Sequence, residues 1–184
     1  IRHLKKASRH MKKDARVWQN LGHAYLTSKK NKRAVRAYQR AVEIDPSAQH
    51  LFFLGYGYVK QDLPEIALGC YDQILRKNAF FYPAIAYQGV AHDKAGRYQE
   101  ALAHFARALA YNPNYAPAYF HRGITYVNTK QYQESIQQFE RVIELDPSES
   151  AAYYNIACCY SLMGEVEKAL EWLDISVEQG FKDF

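Results

Sequence analysis

Along most of the chain, apolar residues recur at intervals of three and four. That spacing predicts amphipathic helices, and no stretch shows the period of two that marks a strand. The segment LFFLGYGY, residues 51–58, is denser than the rest. At about 100° per residue, Leu51, Leu54, Gly55 and Tyr58 share one face with the i, i+3, i+4, i+7 spacing of a core stripe. Phe52, Tyr56 and Val59 form a second apolar stripe about a quarter-turn away. A surface helix needs one buried face, so the second stripe calls for something to touch.

The pattern is periodic. Gly22, Gly55, Gly89 and Gly123 follow one another at steps of 33, 34 and 34 residues, and Ala157 continues the series. Ala34, Ala67, Ala101, Ser135 and Ala169 keep the same register, as do Tyr38, Tyr71, Phe105, Phe139 and Leu173. Tyr25, Tyr58, His92, Tyr126 and Tyr160 make a fourth series. Each period reads as a helix carrying the Gly or Ala, a short polar turn such as SKKN (28–31) or NTKQ (128–131), and a second helix carrying the small residue and the aromatic. The second helix closes on IDPS (44–47), YNPN (111–114) or LDPS (145–148), because proline disfavours helix in the residue before it. The small residues let two helices approach closely while the aromatic fills the space beside them. Ala24, Gly57, Ala91, Thr125 and Cys159 have the same role, so Cys159 reads as a small core residue. His92, in a tyrosine series, reads as a packing residue.

A 34-residue period with Trp18, Leu21, Gly22, Tyr25, Ala34, Tyr38, Ala41 and Pro46 resembles the tetratricopeptide repeat. The resemblance implies an all-α, right-handed superhelical solenoid of five full repeats, at 15–47, 48–81, 82–115, 116–149 and 150–183. Ala79 replaces a closing proline. Gln88 and Arg122 stand where a large apolar residue is expected. The fifth repeat has Ala157 for glycine and Leu173 for the aromatic. Residues 1–14 fit the second helix of a preceding repeat, and GFKDF at the other end resembles the start of a following one. With Ile1 as first residue, the expectation is an excerpt of a longer solenoid, without polar caps at its ends.

In such solenoids the first helices line a concave groove, which accounts for the second stripe. The resemblance implies a peptide-binding groove with Phe52, Tyr56 and Val59 from the second repeat and Asn20 and His23 from the first. Tyr87 and Val90 come from the third, Phe120, Ile124, Val127 and Asn128 from the fourth, and Tyr154 and Asn155 from the fifth. The alternative is that these aromatics are ordinary core. Some family members clamp an acidic C-terminal peptide with Lys, Asn and Arg. The matching positions here are Gln19, Asn20, His23, Phe53, Pro83 and Tyr87, so that clamp is largely missing. An aromatic groove with a few amides suits an apolar or amphipathic segment whose backbone the asparagines can bond.

Charge adds a second feature. Residues 1–40 hold 13 Lys/Arg against Asp14 alone, a net +12, and residues 41–184 hold 11 against 18 acids, a net −7. Lys5, Lys6, Lys12, Lys13, Arg16, Lys29, Lys30 and Arg33 form a candidate basic patch. It is either a solvated face or an electrostatic attractor for an acidic partner, an anionic membrane surface or the acidic end of another copy. Three cysteines make no disulfide framework and point to a reducing, cytoplasmic compartment, with a membrane-peripheral position as the alternative.

The sequence contains no P-loop, HExxH, CxxC or GxSxG motif, so no catalytic, cofactor or metal site is expected. Nucleic acid is disfavoured, because aromatic interleaving in the basic end is weak. The expected function is a non-catalytic protein–protein interaction scaffold. Two alternatives stand beside it. One is head-to-tail self-assembly into a homo-oligomer, since some bacterial relatives coat organelle membranes, magnetosomes included. The other is a targeting domain excerpted from a larger enzyme.

Overall fold

The computed structural model describes residues 1, 3–4 and 13–181. Among them are ten consecutive α-helices and no strand. They pair along the chain as α1 (Ala15–Thr27) with α2 (Asn31–Ile44), α3 (Ala48–Val59) with α4 (Pro64–Lys77), and α5 (Tyr82–Lys94) followed by α6 (Tyr98–Tyr111). The rest are α7 (Ala116–Asn128) with α8 (Tyr132–Leu145) and α9 (Ser150–Leu162) with α10 (Val166–Glu178). His3 and Leu4 are helical, and Leu4 packs on the first core beside Trp18. The rest of the expected preceding helix lies outside the described residues.

Each turn inside a pair closes by the same bond. Lys29, Asp62, Gly96, Lys130 and Gly164 hold φ between 55° and 81°. The following N–H then reaches back to the carbonyl of Tyr25, Tyr58, His92, Tyr126 or Tyr160 at 2.8–3.0 Å. This left-handed closure satisfies a helix-end carbonyl that would otherwise be orphaned, and it suits glycine best. The two lysines and the aspartate adopt it at a steric cost.

The glycine and aromatic series meet in space. Tyr38, Tyr71, Phe105 and Phe139 are fully buried. A Cβ on Gly55 would lie 2.7 Å from Tyr71 Cε1, and one on Gly123 would lie 2.8 Å from Phe139 Cζ. A Cβ on Gly22 would run into the Tyr38 ring, and one on Gly57 would lie 3.1 Å from Cδ2 of the same ring. Cys159 is buried, its thiol 3.4 Å from Ser135 Oγ. His92 Nδ1 accepts from Arg97 Nε at 2.8 Å, and Arg97 also pairs with Glu65 at 2.6 Å.

The departures from the repeat pattern are compensated by hydrogen bonds. The Gln88 amide donates to Asp72 at 2.7 Å, and Arg122 donates to the Gln138 carbonyl oxygen through Nε at 2.8 Å. Where Ala79 replaces proline, the Asn78 side chain accepts from the Phe80 N–H at 3.1 Å and makes the turn itself.

The chain divides into two compact units, Ile1–Arg97 and Tyr98–Phe184, so the boundary falls between α5 and α6. In the first unit Leu21, Tyr25, Val35, Tyr38, Leu54 and Cys70 form a core that Trp18 and Phe53 flank. In the second, Ile136, Phe139, Val142, Ile156 and Cys159 do so, flanked by Phe120, Ile124, Val127 and Trp172.

Gly55→Ala is expected to lose about 1–3 kcal/mol in urea unfolding, because the Tyr71 ring has no free space to retreat into. Gly69→Ala, an exposed site in α4 where an added Cβ meets nothing within 4 Å, is expected to gain about 0.5–1 kcal/mol from helix propensity.

Candidate functional site

In the first unit the second apolar stripe is an aromatic ladder. The Phe52 and Phe53 rings meet edge to face at 5.5 Å, and Phe52 meets Tyr87 at 4.8 Å. Tyr87 meets Tyr56 at 5.7 Å, and Phe53 meets His23 at 4.4 Å. Residues from α1, α3 and α5 are thereby locked together in the edge-to-face arrangement aromatic rings prefer. His23, Phe52, Phe53, Tyr56 and Tyr87 are all half-buried, so each ring is partly packed and partly open to solvent. Burial pushes the Tyr87 hydroxyl up to about 12, which keeps it a neutral hydrogen-bonding group.

Not every expected groove residue lies on this surface. Val59 and Val90 are only 4% and 8% exposed and belong to the core. A short side chain at these positions ends below the surface that longer ones reach. Asn20 is exposed, whereas Gln19, one residue before it, is buried. The Gln19 amide lies 3.4 Å from His23 Nε2, and its oxygen has no hydrogen-bond partner. Tyr38 Oη lies 2.9 Å from His23 Nδ1. Phe53 belongs to neither stripe, standing about 60° beyond Tyr56 on the side away from Leu51, and the sequence marked it only as a position matching the family's clamp.

In the second unit Phe120, Ile124, Val127, Tyr154 and Asn155 are half-buried and Asn128 is exposed. Phe120 packs edge to face on Phe139 at 5.5 Å. It lines a cleft of about 290 Å³ with Pro117, His121, Val142, Asp146 and Glu149. Tyr154 is covered on one face by Phe181, stacked at 4.2 Å. The Asn155 amide is spent on the Ala151 carbonyl at 2.6 Å.

The basic patch is partly placed. Lys13, Lys29, Lys30 and Arg33 are exposed, and Arg16 is paired with Asp14 at 3.1 Å. Lys5, Lys6 and Lys12 lie outside the described residues. Among the described residues there is no group of three or more His, Cys, Asp or Glu placed to hold a metal ion, and no helix is long and apolar enough to cross a membrane.

His23 is held below the ordinary histidine range by burial. The folded chain therefore binds fewer protons here than the unfolded chain once the pH drops through the unfolded value of about 6.5, and stability falls with it. Thermal melts at pH 7.5 and 5.5 should show a larger loss for the parent chain than for His23→Gln.

Tetratricopeptide-repeat family models match residues 15–47, 52–116 and 88–150, and the model of a domain of unknown function matches 121–183. No curated protein matches the chain. Among solved structures, the chain is similar to MamA, at 25% identity over 92% of this chain and 93% of that one, with a TM-score of 0.63. It is also similar to YrrB, described as a tetratricopeptide-repeat protein with an unusual peptide-binding site, at 28% identity, 96% and 92% coverage and a TM-score of 0.60. The fold is shared with a thermophilic tetratricopeptide-repeat protein of Thermus thermophilus, TTC0263, at 20% identity, 92% and 93% coverage and a TM-score of 0.82. With its helix pairs, its glycine–aromatic contacts and these matches, the chain belongs to the tetratricopeptide repeat family.

Proposed function

We propose that this chain is a non-catalytic scaffold that holds an apolar or amphipathic segment of another protein on the aromatic ladder of its first unit. The observation that carries this reading is the ladder itself. Four large rings and His23 are fixed against one another yet remain half open to solvent. Rigid aromatic anchors bind at low entropic cost and are typical hot spots. Exposed Asn20 offers a polar contact to a segment's backbone. The peptide-binding site named for YrrB supports the same reading by similarity. In the second unit Phe120, Ile124, Val127 and Tyr154 are the corresponding positions.

A second reading, self-association, draws on α10. Val166 and Leu170 are 62% and 57% exposed. Ala169 and Leu173 are half-buried, although residues at the same repeat positions elsewhere, such as Ala34 and Tyr38, are fully buried. On the first reading the chain works in a reducing compartment, where its three free cysteines stay reduced.

Selection of random displayed peptides on the immobilised chain should enrich sequences with large apolar residues at helical or alternating spacing. Phe52→Ala should weaken those peptides by about 2 kcal/mol or more. Enriched peptides without apolar residues, or indifferent to Phe52→Ala, would contradict the groove reading. Light scattering at low and high salt should give the mass of one chain throughout. A mass that grows with concentration and falls with salt would favour self-association instead.

A further inference from the structure

At the C-terminal ends of α1 and α3, beside the aromatic ladder, lies a cleft of about 570 Å³ lined by His23, Leu26, Lys29, Asn31, Tyr56 and Lys60. Leu26 and the Tyr56 ring supply carbon surface. Lys29 and Lys60 supply two ammonium groups, and none of these six residues is acidic. The surroundings are ordered. Lys60 Nζ stands 5.3 Å from the centre of the Tyr56 ring, and the Asn31 amide donates to the Lys60 carbonyl at 2.6 Å. Among the described residues neither lysine is in an ion pair.

A lysine at a helix C-terminus offsets the negative end of the helix dipole, which accounts for one cation at each helix end. It does not account for two like charges lining one cleft. The chain offers its own comparison. One repeat later, the positions of Lys29 and Lys60 are held by Asp62 and Lys94, of opposite sign. Here both are basic, and among the described residues no carboxylate pairs with either, so the cleft is suited to an anion from outside the chain.

We propose that this cleft holds the carboxylate of an aspartate or glutamate side chain of the bound segment. The carboxylate sits between Lys29 and Lys60, and a neighbouring apolar residue of the segment lies on Tyr56 and Leu26. The inference rests on the groove reading and gives the partner a chemistry, an acidic residue flanked by apolar ones. Lys29 and Lys60 lie in a turn and at a helix end. They are not at the helix positions where relatives clamp a terminal carboxylate, and those positions hold residues such as Phe53 and Pro83 here.

The test uses backbone amide spectra of the whole chain, titrated with acetyl-Leu-Leu-Glu-Leu-amide and with its Gln counterpart. Both peptides should shift Phe52 and Tyr87. Only the Glu peptide should shift Lys29, Asn31 and Lys60, and it should bind about fivefold tighter, the worth of one well-placed ion pair. In a Lys29→Gln/Lys60→Gln variant that advantage should disappear while the Phe52 and Tyr87 shifts persist. Equal affinity for the two peptides in the parent chain, or an advantage that survives the double substitution, would overturn the inference and leave the groove reading standing. Absence of shifts at Phe52 and Tyr87 with either peptide would overturn both. A phosphoserine counterpart that binds more than tenfold tighter than the Glu peptide would overturn the carboxylate assignment.

Discussion

An aromatic ring pressed against a glycine is the contact on which the rest depends. Gly22 meets Tyr38, Gly55 meets Tyr71 and Gly123 meets Phe139, each so closely that a methyl group would collide with the ring. The missing Cβ lets the two helices of a repeat approach, and the ring fills the space between their backbones. Once that face of a first helix is spent on its partner, residues about a quarter-turn away reach that core only at its edge, as Phe52 does with its ring 6.0 Å from that of Tyr71. Phe52 and Tyr56 stand there, and they also pack on Phe53 and Tyr87 from their own and the next first helix. The half-open aromatic ladder follows from how the core is made.

Much of this was legible in the sequence. Four residue series in one register located the helix pairs, because a repeat that buries its face only against its neighbours must place small and large residues at fixed intervals. The burial of Cys159 and the packing role of His92 followed from their places in those series. The groove was less legible. Val59 and Val90 satisfy the period but lie in the core, since periodicity gives the direction of a side chain and not how far it reaches. Phe53 lies outside both stripes and was marked only as a position where the family's clamp is missing, yet it joins His23 to Phe52. The division into units at Arg97 was invisible, because the 34-residue period runs straight through it. The cleft at Lys29 and Lys60 was hidden for a different reason. Those residues are 31 positions apart and come together only through the stacking of one repeat on the next.

The two units carry different surface chemistry on the same framework. In the first, rings support rings, and the nearby cleft is basic. In the second, Phe120 leans on the core aromatic Phe139 as Phe52 does on Tyr71, but Tyr154 is covered by Phe181, and the cleft beside Phe120 includes Asp146 and Glu149. The Ser148 side chain and backbone N–H both donate to Asp146, which holds that carboxyl below its usual range and keeps it charged. A repeat fold permits this divergence because each repeat's core contacts are local, so surface positions change without disturbing the glycine–aromatic pairs.

The central claim is that the chain has two classes of aromatic residue, one that builds the fold and one held ready for a partner. Urea unfolding of Tyr38→Ala beside Tyr56→Ala tests it most directly. The account predicts a loss of about 3–5 kcal/mol for the fully buried Tyr38, which is pressed between two glycines. It predicts about 1 kcal/mol or less for the half-open Tyr56. Equal large losses would show that the ladder is ordinary core, and the groove would then have no anchors to offer.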